Sequence, residues 1–80
     1  MGYFVYILKS LSFGRYYIGH TSDYMKRLDE HNKEKVGSTK AYIPWEIVRL
    51  EKFGSKSEAF QREMQIKSYK HGEAFRKLLS

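Results

Sequence analysis

Apolar residues follow two different periods along this chain, and each predicts its own type of element. The run from Tyr3 to Lys9 is rich in β-branched and aromatic residues, with apolar groups at both alternating positions. This predicts a strand covered on both faces, as in the centre of a sheet. A turn cluster at 10–14 and a second short run at 15–19 predict a β-hairpin. Charged and apolar residues alternate over 45–53, which predicts a third strand nearer a sheet edge.

Helical spacing and capping residues predict three helices. Thr21 or Ser22 is expected to cap the first, over about residues 22–33. A capping-box pattern at 55–58 opens a second helix that extends to about Tyr69, and a short amphipathic helix follows at 74–79.

Residues 32–42 show little periodicity and predict a long exposed loop, with a helical turn as an alternative. The resulting order, ββαβαα, predicts one α+β domain over residues 1–80, in which helices flank a small, mostly antiparallel sheet.

The hairpin also predicts which residues face one another. If Ser10 lies opposite Arg15, the numbers of paired residues add up to 25. Tyr6 then faces Gly19, and Tyr17 points to the same side of the sheet as Tyr6, one diagonal step away. A bulge would remove this relation.

Two interpretations of this tyrosine pair remain open. Tyr6 and Tyr17 could be core aromatics with hydroxyl groups at the surface. Alternatively, a cation such as Arg27 about 5 Å away could lower a tyrosine pKa from about 10 to about 8, which would make the phenol a usable general base.

Glu63 is anomalous because it lies on the apolar stripe of its helix, four residues after Ala59 and three before Ile66. It could turn to solvent or pair with Lys67 one turn later. It could instead bind Mg²⁺, which needs few protein ligands because it keeps most of its waters. The histidines offer no comparable site, since the nearest pair, His20 and His31, is eleven residues apart.

Arg27 shares a helix stripe with Asp23 and His31, beside the apolar Tyr24 and Leu28. A solvated face is one explanation. The other is a phosphate clamp, because the planar guanidinium forms paired hydrogen bonds to phosphate oxygens and neutralises their charge.

Composition narrows the class of protein. Fifteen Lys and Arg against nine Asp and Glu give a net charge of +6, and there is no cysteine, which excludes disulfides and thiolate zinc sites. The longest apolar run, Tyr3 to Leu8, is too short for a membrane span or a signal peptide, so a cytoplasmic location is expected. The basic charge favours a polyanionic partner, with nucleic acid ahead of anionic lipid.

Together these residues form a recognisable ordered set. It consists of Val5-Tyr6-Ile7, Tyr17-Ile18-Gly19, Arg27 eight residues later, His31, Pro44-Trp45, and Arg62-Glu63 followed by Ile66-Lys67. The set resembles the GIY-YIG nuclease family, most closely its small stand-alone bacterial members. The first element is degenerate, because Phe4 occupies the glycine position of the family pattern.

The resemblance implies a three-stranded antiparallel sheet flanked by helices and hydrolysis of DNA phosphodiesters with one Mg²⁺ or Mn²⁺ ion. Tyr6 or Tyr17 would help to activate water, and Arg27 would stabilise the pentavalent phosphate. Glu63 would hold the metal ion, and His31 would make an auxiliary contact.

One family feature is missing, because many of these nucleases have an asparagine about a dozen residues after the glutamate, where this chain has Phe75. The larger family enzymes also take specificity from fused domains or partners, so a protein partner is expected here. Lys33, Lys35 and Lys40 could contact nucleic-acid backbone in a largely sequence-independent way.

Two functions follow from this set of residues. The first is a Mg²⁺-dependent DNA endonuclease, selective for DNA structure and acting in repair or recombination. The alternative is a non-catalytic nucleic-acid-binding or adaptor module on the same scaffold. RNA remains open as the partner under both hypotheses.

Overall fold

The computed structural model describes residues 2–33, 35–70 and 72–80. Within these ranges the chain forms three strands and three helices, in the predicted order ββαβαα. The strands are β1 (Tyr3–Ser10), β2 (Tyr16–Thr21) and β3 (Trp45–Phe53), and the helices are α1 (Tyr24–Asn32), α2 (Lys56–Ser68) and α3 (Glu73–Leu79). A short 3-10 helix, Lys40–Tyr42, lies in the predicted loop.

The sheet is antiparallel, with the strand order β2-β1-β3. The α+β fold, the central position of β1 and the edge position of β3 are therefore confirmed. Because β1 is covered on both faces, four consecutive residues, 5–8, are buried. One cluster lies under α2 and α3 and consists of Val5, Ile7, Ile18, Ala59, Ile66 and Phe75. The opposite cluster consists of Tyr6, Leu8 and Trp45, against which Tyr17 and Leu28 pack.

Both long helices begin at side-chain caps. Ser55 accepts a hydrogen bond from the backbone N–H of Glu58, as the capping box predicts. The prediction for α1 was wrong by one or two residues, since Asp23 is the cap and accepts from the N–H of Lys26. Thr21 still belongs to β2, and its hydroxyl oxygen accepts from the N–H of Asp23. The strand therefore continues further than its composition indicated.

A bulge in β3 changes which face its side chains occupy. Ile7 pairs with Arg49 while the next residue, Leu8, pairs with Ile47, so Val48 is an extra residue in the ladder. Trp45 and Ile47 consequently pack against the Tyr6 cluster, whereas Arg49 lies on the side of α2 and α3.

Two charged residues of β3, Arg49 and Glu51, are half-buried by this arrangement. Glu51 accepts hydrogen bonds from Arg62 of α2 at 2.8 and 3.1 Å and from Arg49 at 2.7 Å. The bonds from Arg62 and then Arg49 lower the pKa of the Glu51 carboxyl group. Arg49 also donates to the carbonyl oxygen of Leu78, which joins α3 to the sheet.

Among the residues that the structure describes, no helix has the length and apolar character needed to cross a membrane.

Candidate active site

The predicted hairpin register is confirmed, and it places the two tyrosines side by side. Tyr6 pairs with Gly19 across β1 and β2, and the rings of Tyr6 and Tyr17 stack with their centroids 6.2 Å apart. The ring of Tyr6 lies directly over Gly19, where an added Cβ would stand 2.5 Å from the phenol oxygen. Only glycine leaves room for Tyr6 in this position, because Tyr6 is 2% exposed and its hydroxyl is fixed by neighbours.

The hydroxyl group of Tyr6 is the centre of a buried hydrogen-bond network. Arg27 Nε donates to it at 3.4 Å, and His31 Nε2 lies 3.2 Å away. The other ring nitrogen of His31, Nδ1, lies 2.8 Å from Thr39 Oγ1, which donates its own proton to the carbonyl oxygen of Val36. Thr39 must therefore accept from His31 Nδ1–H, so Nε2 of the neutral ring accepts the Tyr6 hydroxyl proton.

The ionisation of this network follows from its burial. Burial, with a smaller contribution from the positive charge of Arg27, lowers the pKa of His31 to about 4. Burial also raises the pKa of Tyr6 to about 12, against the smaller opposite effect of the hydrogen bond from Arg27. The expected net fall of the tyrosine pKa is therefore wrong for Tyr6, because desolvation of the phenolate outweighs the attraction of the cation.

His31 is buried and contacts both tyrosines of the candidate site. Its exposed fraction is 0%, both ring nitrogens are hydrogen-bonded, and its ring lies 4.7 Å from that of Tyr17. The auxiliary contact expected of His31 stays a prediction. In this structure its ring has no exposed area and contacts Tyr6, Tyr17 and Thr39.

Glu63 forms a second buried polar group. It is 7% exposed, its Oε1 accepts from His20 Nδ1 at 2.5 Å, and its Oε2 lies 2.6 Å from Lys67 Nζ. The predicted pairing with Lys67 is confirmed, but the carboxylate does not turn to solvent. His20 was not predicted as a site residue, because no spacing in the sequence links it to a carboxylate 43 residues away. The ring of Phe60 packs against His20.

One open cleft of about 460 Å³ lies beside β2. Arg27 lines it and is bonded to Tyr6, and His20 lines it and is bonded to Glu63, whereas Tyr6 and Glu63 themselves are not among its lining residues. Arg27 also donates to Glu30 at 3.2 Å. The remaining lining residues are Thr21, Ser22, Asp23, Lys26 and Glu30. A phosphate group in the cleft would meet the guanidinium of Arg27 and the ammonium of Lys26.

Glu63 is the candidate ligand for one hard divalent cation, and both of its carboxylate oxygens are paired here, with His20 and Lys67. In the described part of the chain there is no group of three or more His, Cys, Asp and Glu residues placed to hold a metal. A single carboxylate suits Mg²⁺, which completes its coordination with waters and substrate phosphate oxygens. Glu63 is such a carboxylate, and the Lys67 ammonium lies at Oε2, where the cation would bind. Metal binding at this oxygen therefore requires Lys67 to move.

The three predicted backbone-binding lysines lie away from the cleft. Lys33 follows the C-terminal end of α1 and pairs with Asp29 at 3.0 Å, and Lys35 and Lys40 are exposed in the segment beyond it. Arg27 lies nearer the other end of α1, six residues and about 9 Å along the axis from Lys33. These lysines are a separate basic surface and do not line the cleft.

Phe75, at the position of the family asparagine, is 2% exposed and packs in the core between the sheet and the last helices. No polar group replaces the family's amide at this position.

The fold and the paired polar groups describe a nuclease-type domain, and comparison with known proteins identifies the family. The family model described as the GIY-YIG catalytic domain matches residues 2–74. The chain belongs to the GIY-YIG family, a family of nucleases.

Its relatives include UPF0213 proteins of Staphylococcus aureus. The proteins SA0446 of strain N315 and SAV0488 of strain Mu50 are each 40% identical to it over 68 residues, which cover 84% of this chain and 82% of the relative. The solution NMR structure of the UPF0213 protein BH0048 from Bacillus halodurans is 33% identical, with a TM-score of 0.51, and the match covers 85% of this chain and 72% of that one.

Proposed function

We propose that this protein is an endonuclease that hydrolyses DNA phosphodiester bonds with one Mg²⁺ or Mn²⁺ ion. The observation that supports it most is the cleft beside β2, which is lined by Arg27 of α1 and by His20 of β2, the partner of Glu63. A phosphate binder in a cleft, with a carboxylate one hydrogen bond away, is a set of groups that metal-assisted phosphodiester hydrolysis uses. Membership of a nuclease family supports the same reaction.

Each side chain has a distinct task in this proposal. Arg27 binds the non-bridging oxygens and neutralises the charge that develops on the pentavalent phosphorus. Tyr17 is the better candidate for activating water, because Tyr6 donates its proton to His31 and has a pKa of about 12. Tyr6 instead holds Arg27 and the Tyr17 ring in place. A bound Mg²⁺ at Glu63 would polarise the phosphate and stabilise the leaving 3′ oxygen.

The lysines outside the cleft support the proposal that the protein selects its DNA substrate by shape. Lys33, Lys35 and Lys40 present charge to phosphates but no rigid donor array to base edges. Contacts of this type recognise the path of the backbone, which suits branched or flapped DNA in repair or recombination. Affinity for a particular locus then depends on a protein partner.

The test is cleavage of end-labelled duplex, single-stranded, flap and four-way-junction DNA at low salt, titrated with Mg²⁺ and Mn²⁺. We expect cleavage that stops with a chelator and resumes with added metal, and that differs between DNA forms. A parallel series with RNA of the same shapes identifies the polymer. Absence of cleavage on every substrate at millimolar metal contradicts the proposal.

A second candidate, a non-catalytic nucleic-acid-binding or adaptor module, is favoured by one observation. Phe75 replaces the polar residue that many family nucleases have at this position, and it is part of the core. This function predicts salt-sensitive binding without cleavage, and binding that weakens when Lys33, Lys35 and Lys40 are replaced but not when Glu63 is.

Replacing Lys67 with methionine is expected to tighten divalent-cation binding by about fivefold. The ammonium at Glu63 Oε2 competes with the metal, and a partly exposed ion pair of this kind contributes up to about 1 kcal/mol. Binding of Mn²⁺ to the DNA-free protein, followed by electron paramagnetic resonance, measures the change.

Lys70→Met is the matched control, because Lys70 follows α2 one turn later and has the same charge. Equal Mn²⁺ affinities for the parent and Lys67→Met would contradict this prediction, because they would show that breaking the Lys67–Glu63 ion pair costs no free energy. Equal gains in both variants would show a general charge effect.

A further inference from the structure

The tip of the β1–β2 hairpin is exposed and yet firmly anchored. The N–H of Leu11 donates to the carbonyl oxygen of Pro44 at 3.0 Å, and Ser10 Oγ donates to that of Tyr42 at 2.6 Å. The same Ser10 oxygen accepts from the N–H of Phe13 at 3.1 Å. These bonds fix the loop backbone against the segment before β3, so the side chains at the tip are held in defined positions.

Two large apolar side chains at this tip point into solvent. Phe13 is 63% exposed and Leu11 is 58% exposed. One edge contact holds the Phe13 ring, whose centroid lies 5.5 Å from that of Tyr42 at an interplanar angle of 86°. A rigid loop that exposes an aromatic ring presents a preorganised surface, because little side-chain entropy is lost when a ligand packs on it.

A cation completes this surface. The guanidinium carbon of Arg15 lies 4.6 Å from the centroid of the Tyr42 ring, in cation–π geometry. The stacked guanidinium keeps its outer face and its N–H groups for a further ligand. We use the name hairpin platform for the set Leu11, Phe13, Arg15 and Tyr42.

Positive charge is in excess around the hairpin platform. The segments 9–16 and 35–45 contain four cations, Lys9, Arg15, Lys35 and Lys40, and no aspartate or glutamate, and the next residue, Glu46, pairs with Lys9 across β1 and β3. Exposed aromatic rings together with excess positive charge are the chemistry that binds unpaired nucleic acid, since bases stack on rings while phosphates pair with cations. An apolar protein partner would not need this charge.

We propose that the hairpin platform binds an unpaired nucleic-acid strand, with a base stacked on Phe13 and the backbone near Arg15 and Lys40. The inference rests on the proposed function, which it deepens by giving the substrate a single-stranded part. β2 connects the two sites, since it runs from the hairpin tip past Tyr17 to the cleft at His20. The five residue steps from Arg15 to His20 span about 17 Å, the length of about five stacked nucleotides.

The experiment measures binding in the presence of a chelator, so that cleavage plays no part. Single-stranded DNA and RNA oligonucleotides with 2-aminopurine at successive positions are titrated with the parent, Phe13→Ala, Phe13→Trp and Met64→Ala. Met64 is the control because it is also a half-exposed apolar residue but lies on α2. The DNA and RNA series show which polymer binds, and a duplex of equal length provides the reference.

We expect Phe13→Ala to weaken single-strand binding by about five- to tenfold and to remove the quenching of one 2-aminopurine position. Phe13→Trp restores both, and Met64→Ala changes neither. Parent-like affinity of Phe13→Ala, or equal loss in both alanine variants, would overturn the proposal, as would equal binding of duplex and single strand.

The same variants separate this inference from the nuclease proposal. Platform-dependent binding without metal-dependent cleavage would leave the platform standing and refute the nuclease. If Phe13→Ala leaves both single-strand binding and metal-dependent cleavage of flap DNA unchanged, the platform proposal is refuted and the nuclease proposal is not. The hairpin tip would then be a candidate site for a protein ligand.

Discussion

Replacing Glu63 with glutamine is expected to lower the rate of DNA cleavage about a thousandfold or more while the protein stays folded. The substitution keeps the shape of the side chain but removes the charge that would hold the metal ion. A metal ion contributes several kcal/mol of transition-state stabilisation in phosphoryl chemistry, and each 1.36 kcal/mol corresponds to about a factor of ten in rate. Single-turnover cleavage at saturating Mn²⁺ measures the loss.

The fold is expected to tolerate this change. The glutamine carbonyl oxygen can still accept from His20, so the loss is mainly the ion pair with Lys67, about 1 kcal/mol of unfolding free energy. Glu58→Gln is the matched control, because Glu58 lies exposed in the first turn of the same helix. We expect it to cleave like the parent. Full activity of Glu63→Gln would remove Glu63 from the site.

The second large effect is a loss of stability in mild acid that depends on His31. Its pKa is about 4 in the folded protein and about 6.5 when unfolded. Because the unfolded chain binds the proton more readily, this contribution to stability is complete above pH 6.5 and is lost as the pH falls toward 4. The free energy of unfolding should decrease by about 2 kcal/mol between pH 7 and pH 5, and by about 3 kcal/mol by pH 4.

Urea unfolding at pH 7 and pH 5, for the parent and for His31→Gln, measures this effect. Glutamine can hydrogen-bond to Tyr6 and Thr39 but does not titrate, so the variant should lose much less stability over this range. Stopping at pH 5 avoids Glu51, whose lowered pKa makes its contribution disappear only at more acidic pH. Identical slopes for parent and variant would show that the buried imidazole does not cause the acid sensitivity.

The tyrosine pair shows how far sequence reasoning extends into the candidate site. The register of a short hairpin follows from the length of its loop, so the numbering alone placed Tyr6 and Tyr17 on one face. The pKa of Tyr6 did not follow, because it depends on how completely Leu8, Trp45 and other distant residues exclude water from its hydroxyl.

For Glu63 and Arg27, too, the sequence predicted the position of the residue but not its partners. Helical spacing identified a carboxylate on an apolar stripe and an arginine beside buried residues. It did not identify His20 as the partner of Glu63 or Thr39 as the partner of His31, because both contacts cross between elements. Likewise, the bulge at Val48 that brings Arg49 and Glu51 toward Arg62 leaves no signal in the alternating pattern of β3.

Sequence patterns alone were enough to predict the order of strands and helices, the antiparallel hairpin, the face shared by the two tyrosines and the family pattern. These depend on local backbone preference, on the periods of apolar residues and on spacing along one chain. The folded structure was needed to show which polar groups are buried, which atoms accept each proton, and that Arg27 and His20, the partner of Glu63, line one cleft. Burial and proton positions are set by side chains that are distant in sequence, and these become neighbours only when the helices pack on the two faces of the sheet.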